Sequence, residues 1–482
     1  MARYYVFLYM LLLANTFAFS KKKADLKPRL VVLTDIAPGD LEPDDMESMV
    51  RLLAYADQYE IEALITTTGW NCDPYPTEWA DSLRTVVDAY EKDVRKLMRR
   101  SAQKGFLPIG KEQGKQEIGY WPSADYLRSR IAMGSQRSGI QMIGNDNDSP
   151  GSNLIIKLAD EDDPRPLWIT CWGGGNTLAQ SIWRVRQERS PKKLKAFLNK
   201  LRVFTITDQD MVYAMRMNRA YSSHQWLRKE FSDDLLFIWD ESAWLTQCEL
   251  GSKGWKQYAA HVQGKGHLGK VYPTFKYGVE GDTPSFLNIM PNGLHDADNP
   301  EQIGWAGCFR RGMCPDSLTI AWTNWQKPQK DISRSYEEIF YTDIVNDFIA
   351  RMEWAEKGKG NRNPVAIVNG NKGLAPIRIE ACPGETITLD ASKSYDPDGD
   401  PITFNWWIQK DIGHSSDIEL EAQGMKAIVK LPQNMQMSDT HIVCEVRDNR
   451  EFSLVGYRRI IISPSQEARH SLPLVFDKKG TH

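Results

Sequence analysis

The chain has 482 residues, of which 41% are hydrophobic and 26% are charged, so it is long enough for two or three domains with separate cores. Its formal net charge is -3 at pH 7, and no global charge attracts it to nucleic acid, so we expect no nucleic-acid partner. The 16 tryptophans fit two interpretations. Such rings fill cores and interfaces, and they also stack on the apolar faces of sugars.

The first twenty residues differ from the rest of the chain. Arg3 precedes an almost wholly apolar run from Tyr4 to Ala18, and a lysine triplet begins at Lys21. The run is short for a membrane span and ends in small residues, which predicts a cleavable signal peptide over 1–20. An uncleaved anchor is the alternative. We expect a secreted or periplasmic protein, with no membrane span after the signal is removed.

Seven cysteines are present, and export would permit disulfide bonds between them. Their spacings match no zinc pattern. Cys308 could pair with Cys314, and Cys382 with Cys444, but buried free thiols fit the sequence equally well. We expect no catalytic cysteine.

From Arg29 onward, short apolar strands alternate with helical segments. This alternation predicts an α/β domain with a mostly parallel sheet and helices on both faces. In such sheets the site lies at the carboxyl ends of the strands. The predicted strands are 30–34, 61–67, 166–170 and 201–206, and the clearest predicted helices are 46–56, 77–99 and 336–356.

The helical pattern ends near Glu356, so the main domain is expected over 28–356. Residues 357–364 are polar and rich in Gly, Lys and Asn, which indicates a linker. Five or more short strands then predict a small β-sandwich over 365–465. The last residues, 466–482, are expected to form a tail.

An acidic loop follows the first predicted strand. It runs from Asp35 to Asp45 and contains five carboxylates, which repel one another unless a cation or protons compensate. Hard oxygen donors on a loop suit Ca²⁺ better than zinc. Helix capping by Asp44 or Asp45 is the alternative, but it does not account for five acids. We therefore predict a Ca²⁺ site.

The order of a strand, an Asp, a glycine-containing loop, an Asp-Asp pair and a helix resembles the N-terminal signature of nucleoside hydrolases. The resemblance implies that Asp35 and Asp45 bind Ca²⁺ and that Asp35 is the general base. It also implies that Asp44 contacts sugar hydroxyls. The gap between Asp35 and Asp44 is longer here than in that family, so Asp40 or Glu42 could take one of these roles.

Two later segments resemble the same family. The glycine-rich turn before Asn176 resembles a turn whose backbone carbonyl ligates the metal, although three glycines before a helix would also suit phosphate. Asp282, just before a helical pattern, resembles the last metal ligand of the family. The pair His295-Asp296 is its rival, and we favour Asp282 because Pro284 indicates a helix start.

Several segments together resemble one branch, a secreted nucleoside-hydrolase-like family described as cellulose-binding that carries an Ig-like C-terminal domain. They are 148–152, 172–179, 208–210, 280–287 and 291–294. In the predicted sandwich, the turn Asp396–Asp400 resembles a PKD or cadherin-like signature, and it fits either a plain turn or a weak Ca²⁺ site. On one strand, Trp406 and Trp407 should face opposite ways, and the one outside the core would be a candidate sugar contact.

Further candidates lie after the predicted strand 201–206 and in later segments. Asp208 and Asp210 fit substrate recognition or helix capping, and His224, with Trp226, fits a pocket wall or a structural role. Glu280, Asp210 and His224 are the candidates for the general acid. The complete set of predicted substrate contacts is Asp44, Asn176, Asp208, Asp210, His224, Glu280, Trp70 and Trp172.

These features predict a secreted, Ca²⁺-dependent hydrolase of a glycosidic bond in a glycan or glycoside. The alternative enzyme hypothesis is an N-ribosyl (nucleoside) hydrolase. A catalytically inactive protein that binds a cellulose-like polysaccharide is the third. Self-association into a homo-oligomer is left open.

Overall fold

The computed structural model describes residues 25–39, 41–70, 72–101, 103–112, 116–210, 221–413, 418–433 and 439–465. The predicted signal peptide, the predicted tail and Asp40 lie outside these ranges. Across the ranges that are described, no helix is both long enough and apolar enough to cross a bilayer.

The main domain is built on one eight-stranded sheet with the strand order β3-β2-β1-β4-β5-β6-β8-β7. Neighbouring strands pair in parallel, except that β7 runs antiparallel to β8 at one edge. The mostly parallel sheet predicted from the sequence is confirmed. The strands are β1 (Arg29–Thr34), β2 (Glu60–Thr66), β3 (Ile131–Met133), β4 (Leu167–Cys171), β5 (Leu201–Ile206), β6 (Leu236–Asp240), β7 (Arg310–Met313) and β8 (Ile320–Thr323).

Helices cover both faces of this sheet because the side chains of β1 alternate between two hydrophobic cores. Leu30 and Val32 belong to the core that contains Phe348, whereas Val31 and Leu33 belong to the opposite core. The helices are α1 (Pro43–Ala54), α2 (Asp81–Leu97), α3 (Ile109–Glu112), α4 (Ala124–Ser129), α5 (Pro150–Ala159), α6 (Asn176–Glu188), α7 (Pro191–Leu198), α8 (Ser223–Phe231), α9 (Ser242–Lys253), α10 (Trp255–His261), α11 (Thr283–Leu287) and α12 (Gln329–Lys357).

The C-terminal part is a β-sandwich, as predicted. One sheet has the order β10-β13-β12 and the other has the order β11-β14-β15-β9. Their facing residues, among them Leu389, Val429 and Ile460, form a separate core. The strands are β9 (Ile377–Ala381), β10 (Thr386–Asp390), β11 (Ile402–Ile408), β12 (Glu419–Gln423), β13 (Lys426–Lys430), β14 (Thr440–Asp448) and β15 (Val455–Pro464).

The sandwich packs against α12 of the main domain. Asp343 accepts hydrogen bonds from Arg447 Nη2 at 2.6 Å and from the Tyr457 hydroxyl at 2.7 Å. Trp406 lies in the sandwich core, whereas Trp407 packs against Tyr336 with ring centroids 6.0 Å apart. The sequence analysis proposed the tryptophan outside the sandwich core as a candidate sugar contact. Trp407 is that residue, and it belongs to the contact between the domains.

The cysteines form no disulfide bonds among the residues that the structure describes, and all seven are free thiols. Cys308 and Cys314 are both buried, as is Cys444, whereas Cys382 is exposed. The sequence allowed either disulfide bonds or free thiols, and the structure has free thiols.

Candidate active site

The loops that follow β1, β2 and β4 meet at the carboxyl edge of the sheet. The backbone N–H of Trp172 donates to the carbonyl of Leu33 at 2.8 Å, and that of Gly174 donates to the carbonyl of Thr68 at 2.7 Å. A Cβ atom on Gly173 would lie 2.6 Å from Asp35 Oδ1. Glycine is therefore required there, because the loop passes directly beside the carboxylate.

The acidic loop ends in a compact carboxylate cluster. One carboxylate oxygen from each of Glu42, Asp44 and Asp45 lies within 4.8 Å of the others. The helix α1 begins at Pro43, which places Asp44 and Asp45 in its first turn. Glu42, which the sequence offered as a substitute ligand, thus belongs to the cluster.

Asp35 lies at the start of the same loop, and Asp282 joins the cluster from a second loop. Asp35 is 2% exposed, and Asp45 and Asp282 are each 3% exposed. Burial, followed by the charges of Asp45, Glu42 and Asp44, holds the pKa of Asp35 well above its usual range. Burial and the same neighbouring aspartates, Asp45 first, likewise raise the pKa of Asp282. Buried carboxylates that repel one another in this way are stabilised by a cation or by protons.

The donor set fits a hard divalent cation. Among the described residues, the buried oxygens Asp44 Oδ1, Asn176 Oδ1 and Asp282 Oδ2 have no hydrogen-bond partner. A buried acceptor without a partner is costly, and a cation would satisfy such oxygens. Carboxylate and amide oxygens are the ligands that Ca²⁺ takes.

Asn176 is the first residue of α6 and is fully buried. Its Nδ2 atom donates to the carbonyl of Gly139 at 2.7 Å, which orients the amide. A Cβ atom on Gly174 would lie 3.0 Å from Asn176 Oδ1. The side-chain oxygen therefore borders the glycine turn that passes over the acidic site.

The two aspartates after β5 have buried protein partners. Asp208 pairs with Arg228 through contacts of 2.7 Å and 3.0 Å. Asp210 accepts from the Ser222 hydroxyl at 2.9 Å and from the backbone N–H of Ser223 at 2.7 Å, at the start of α8. The structure thus directs both carboxylates towards helix α8, and their predicted role as substrate contacts stays a prediction.

His224 and Glu280 are also fully buried. His224 Nδ1 lies 2.8 Å from the hydroxyl of Thr205, and within the described part of the chain its Nε2 atom has no hydrogen-bond partner. The carboxylate of Glu280 pairs with Arg51 and accepts from the Tyr272 hydroxyl at 2.9 Å.

The predicted aromatic contacts differ in exposure. Trp70 is half-buried, and its indole N–H donates to the carbonyl of Asp208 at 3.1 Å. Trp172 is fully buried, and its indole N–H donates to the Ser285 hydroxyl at 2.6 Å. Trp70 is therefore the one of the two with an accessible ring.

His295, whose pair with Asp296 was the rival of Asp282, lies elsewhere. Its Nε2 atom is 2.5 Å from the carbonyl of Asn288, and the ring lines a cavity of about 360 Å³ together with Lys27 and Trp168. Lys27 precedes β1 and Trp168 is the second residue of β4, so this cavity is at the amino ends of the strands. The structure places Asp282, rather than His295, in the acidic cluster.

Sequence reasoning did not single out Glu47, Arg51 or Cys248. Glu47 and Arg51 lie on α1, three and seven positions after Asp44, so helical periodicity places them on the face of Asp44. That spacing was a usable signal. Cys248 on α9 had no comparable signal, although a Cβ atom on Gly281 would meet both its Sγ and Asp44 Oδ2, at 3.3 Å and 2.8 Å.

The fold and the position of the acidic cluster define a nucleoside-hydrolase-like α/β protein with an appended β-sandwich. The chain belongs to the family described as cellulose-binding Sde182, nucleoside hydrolase-like domain, which matches residues 29–309. Residues 386–464 match the C-terminal domain of cellulose-binding protein Sde0182.

The solved structures include a similar protein over nearly the whole chain. It is a nucleoside hydrolase-related hypothetical protein from Saccharophagus degradans, described as associated with carbohydrate metabolism. It is 33% identical, with a TM-score of 0.77 over 91% of this chain and 100% of its own. A PKD domain from the KIAA 1837 protein matches at 22% identity over 19% of this chain and 84% of its own, with a TM-score of 0.16. No protein with a curated description matches.

Proposed function

We propose that the protein is a Ca²⁺-dependent hydrolase that cleaves a glycosidic bond in a glycan or glycoside outside the cytoplasm. The observation that carries this proposal is the meeting of Asp35, Asp44, Asp45 and Asp282 at the carboxyl edge of a nucleoside-hydrolase-like sheet. The carbohydrate-related descriptions of the family and of the Saccharophagus protein support a sugar substrate. The apolar segment over 1–20 supports export.

The carboxylates divide among three tasks in this proposal. Asp35, Asp45 and Asp282, with Asn176, would hold the cation, which would supply a polarised water molecule when bound. Asp35 would orient that water and accept its proton at a carboxylate oxygen. Asp44 is less buried than Asp35 or Asp45, so it would bind the hydroxyl groups of the sugar.

His224 is our candidate for the group that protonates the leaving oxygen. Both carboxylate oxygens of Glu280 and of Asp210 already accept hydrogen bonds. Within the described residues, His224 instead keeps Nε2 without a partner, on the side of Gly175, next to Asn176. The nitrogen of an imidazole can donate a proton to a leaving oxygen.

The second candidate is a protein that binds a cellulose-like polysaccharide without cleaving it. The family description favours it directly. The enlarged loop between Asp35 and Asp44 favours it as well, because a changed spacing of the ligands can leave binding intact while preventing catalysis. N-ribosyl hydrolysis remains the enzyme alternative, through the nucleoside-hydrolase relationship.

The test is hydrolysis of a panel of oligosaccharides, aryl glycosides and nucleosides with Ca²⁺ or with a chelator. We expect cleavage of a glycoside only with Ca²⁺, and Asp35→Asn should lower kcat by at least about 10³-fold while carbohydrate binding persists. Asp163→Asn is the matched control, because Asp163 pairs with Arg165 just before β4, away from the site.

Three results would decide between the candidates. Cleavage of nucleosides alone would establish the N-ribosyl hydrolase. Binding of soluble cello-oligosaccharides with no cleavage of any substrate would establish the binding protein and contradict hydrolysis. Equal kcat values for Asp35→Asn and the wild type would contradict the role of Asp35.

A further inference from the structure

Helix α1 carries more than the two aspartates of the acidic cluster. Glu47 and Arg51 follow them on the same helix, and both side chains are fully buried. Both contact Glu280, a residue 229 positions away from Arg51 in the chain. Helix α1 therefore contacts the Asp282 loop in two places. Its first turn contacts the loop at the cluster, and Glu47 and Arg51 contact it one to two turns later.

Glu280 adopts a conformation that needs support. Its φ angle is +55°, in the left-handed region that side chains with a Cβ atom rarely adopt. Its backbone N–H donates to Glu47 Oε2 at 2.7 Å. Its carboxylate is held by Arg51, by the Tyr272 hydroxyl and by Gln247 Nε2 at 3.3 Å. Both its backbone and its side chain are thus anchored, the backbone by Glu47.

The anchored residue leads directly into Asp282. The backbone N–H of Thr283 donates to the carbonyl of Glu280 at 3.1 Å, which closes a turn around Asp282. The carbonyl of Asp282 accepts from the N–H of Ser285 at 3.1 Å and from its hydroxyl at 2.6 Å. A displacement of Glu280 would therefore move the Asp282 carboxylate relative to Asp45.

We propose that Glu47 is a positioning residue for cation binding, which acts by fixing the Glu280 turn so that Asp282 faces Asp45. Arg51 completes the support through the side chain of Glu280. This inference rests on the proposed metal site and adds to it a residue that touches neither the cation nor the substrate. Groups behind metal ligands orient them, and their loss lowers metal affinity by about 10–100-fold.

A second buried carboxylate provides a matched comparison. Glu62 is fully buried and pairs with Arg29, with a contact of 2.8 Å between Oε2 and Nη2. It lies on β2, which neighbours β1, and Arg29 begins β1 at the amino end of the sheet. Glu62→Ala therefore removes a buried, paired carboxylate without touching the Asp282 loop.

The experiment is calorimetric titration of the full chain with CaCl₂. We expect Glu47→Ala to weaken Ca²⁺ binding by about 10–100-fold. Glu47→Gln should bind within about threefold of the wild type, because the amide oxygen can still accept from the N–H of Glu280. Glu62→Ala should lower the thermal midpoint while leaving the Ca²⁺ affinity unchanged.

If Glu47→Ala does not fold, Glu47→Leu replaces it. Leucine fills a similar volume but has no oxygen that can accept from the N–H of Glu280, and we expect the same loss of Ca²⁺ affinity. Wild-type affinity in Glu47→Ala, or in Glu47→Leu where it replaces Glu47→Ala, would overturn the positioning role and leave the metal site intact. A wild-type protein that binds no Ca²⁺ would overturn the metal site and this inference together.

Discussion

Two acidic turns of the molecule have similar compositions and different surroundings. In the main domain, Asp44 and Asp282 each keep a buried oxygen that has no hydrogen-bond partner among the described residues. In the sandwich turn, Asp398 accepts from Arg100 at 3.0 Å and from Arg362 at 2.8 Å. Asp396 there accepts the backbone N–H of Asp398 at 2.7 Å. Within the part of the chain that the structure describes, the negative charge of the two main-domain aspartates is therefore not balanced by cationic side chains, whereas the charge of the sandwich turn is largely balanced by Arg100 and Arg362.

The difference shows that counter-charge, rather than the number of acids, distinguishes a ligand site from a structural turn. Asp396 Oδ2 is also buried without a partner in the described part of the protein. It belongs to no group of three closely spaced acidic, His or Cys side chains there, whereas Glu42, Asp44 and Asp45 form such a group. The arginines that bind Asp398 come from the main domain and the linker, so the sandwich turn connects the two domains.

The largest contrast should appear in Ca²⁺ affinity. Asp45→Asn should weaken Ca²⁺ binding by at least about 100-fold, or about 2.7 kcal/mol, because a charged ligand becomes neutral. Asp398→Asn should leave the affinity unchanged. Calorimetric titration of both variants checks this. A loss of Ca²⁺ affinity in Asp398→Asn would indicate that the ion binds at the sandwich turn, which would contradict the account.

Stabilisation by calcium should follow the same division. At a free Ca²⁺ concentration of 100 Kd, the free energy of unfolding should rise by about 2.7 kcal/mol. Asp398→Asn should keep this increment, and Asp45→Asn should retain at most about 0.4 kcal/mol of it at the same concentration. Denaturant unfolding with Ca²⁺ and with a chelator measures both increments, and a full increment retained by Asp45→Asn would contradict the assigned ligands.

Without calcium, the two turns should respond to charge removal with opposite signs. Asp398→Asn should lower the free energy of unfolding by about 1–2 kcal/mol, because it weakens charge-assisted hydrogen bonds that are only partly exposed. Asp44→Asn should raise it, because burial raises the pKa of Asp44, so that its ionised form opposes folding. Chelator-treated samples test both signs, and destabilisation by both substitutions would contradict the contrast.

A smaller effect should come from a buried histidine of the sandwich. His441 is 5% exposed, and burial, followed by the charge of Arg459, lowers its pKa to about 4. The unfolded chain, with a His pKa of about 6.5, binds more protons between these values, so stability falls as the pH falls from about 6.5 to 4. At pH 5.5 the loss is about 1 kcal/mol.

His441→Asn should reduce the dependence of the free energy of unfolding on pH between about pH 6.5 and 4. His267, which lies on the surface and pairs with Asp93 at 2.9 Å, supplies the control substitution His267→Asn. Unfolding measured between pH 7 and pH 4.5 makes the comparison. An unchanged slope in His441→Asn would contradict the assignment.

The sequence predicted the elements whose hydrophobic pattern is strong. The apolar run of β1 and the helical spacing of α1 located Asp35 and the Asp44-Asp45 pair, and Pro284 indicated the short helix after Asp282. In contrast, β7 and β12 escaped prediction. The edge strand β7 is mostly exposed and contains two arginines, and β12 alternates Glu with small or apolar residues, so neither has the apolar pattern of a buried strand.

The partners of the candidate site residues were harder to predict than the residues themselves. Asp208 follows β5 and Glu280 precedes helix α11, and acidic residues in such loops resemble a substrate site in sequence. Arg228 comes from α8, 20 residues after Asp208, and Arg51 comes from α1, 229 residues before Glu280. Single-sequence patterns carry no signal for such long-range pairs. The burial of Trp172 and the packing of Trp407 on α12 escaped prediction for the same reason.

The measurement that tests the central claim most directly is a crystal structure of the protein grown with Ca²⁺ and recorded at a wavelength where calcium scatters anomalously. The account predicts one anomalous peak at about 2.3–2.6 Å from carboxylate oxygens of Asp35, Asp45 and Asp282, and no peak at the sandwich turn. A peak at Asp396 and none in the main domain, or no peak at either turn at saturating Ca²⁺, would contradict it.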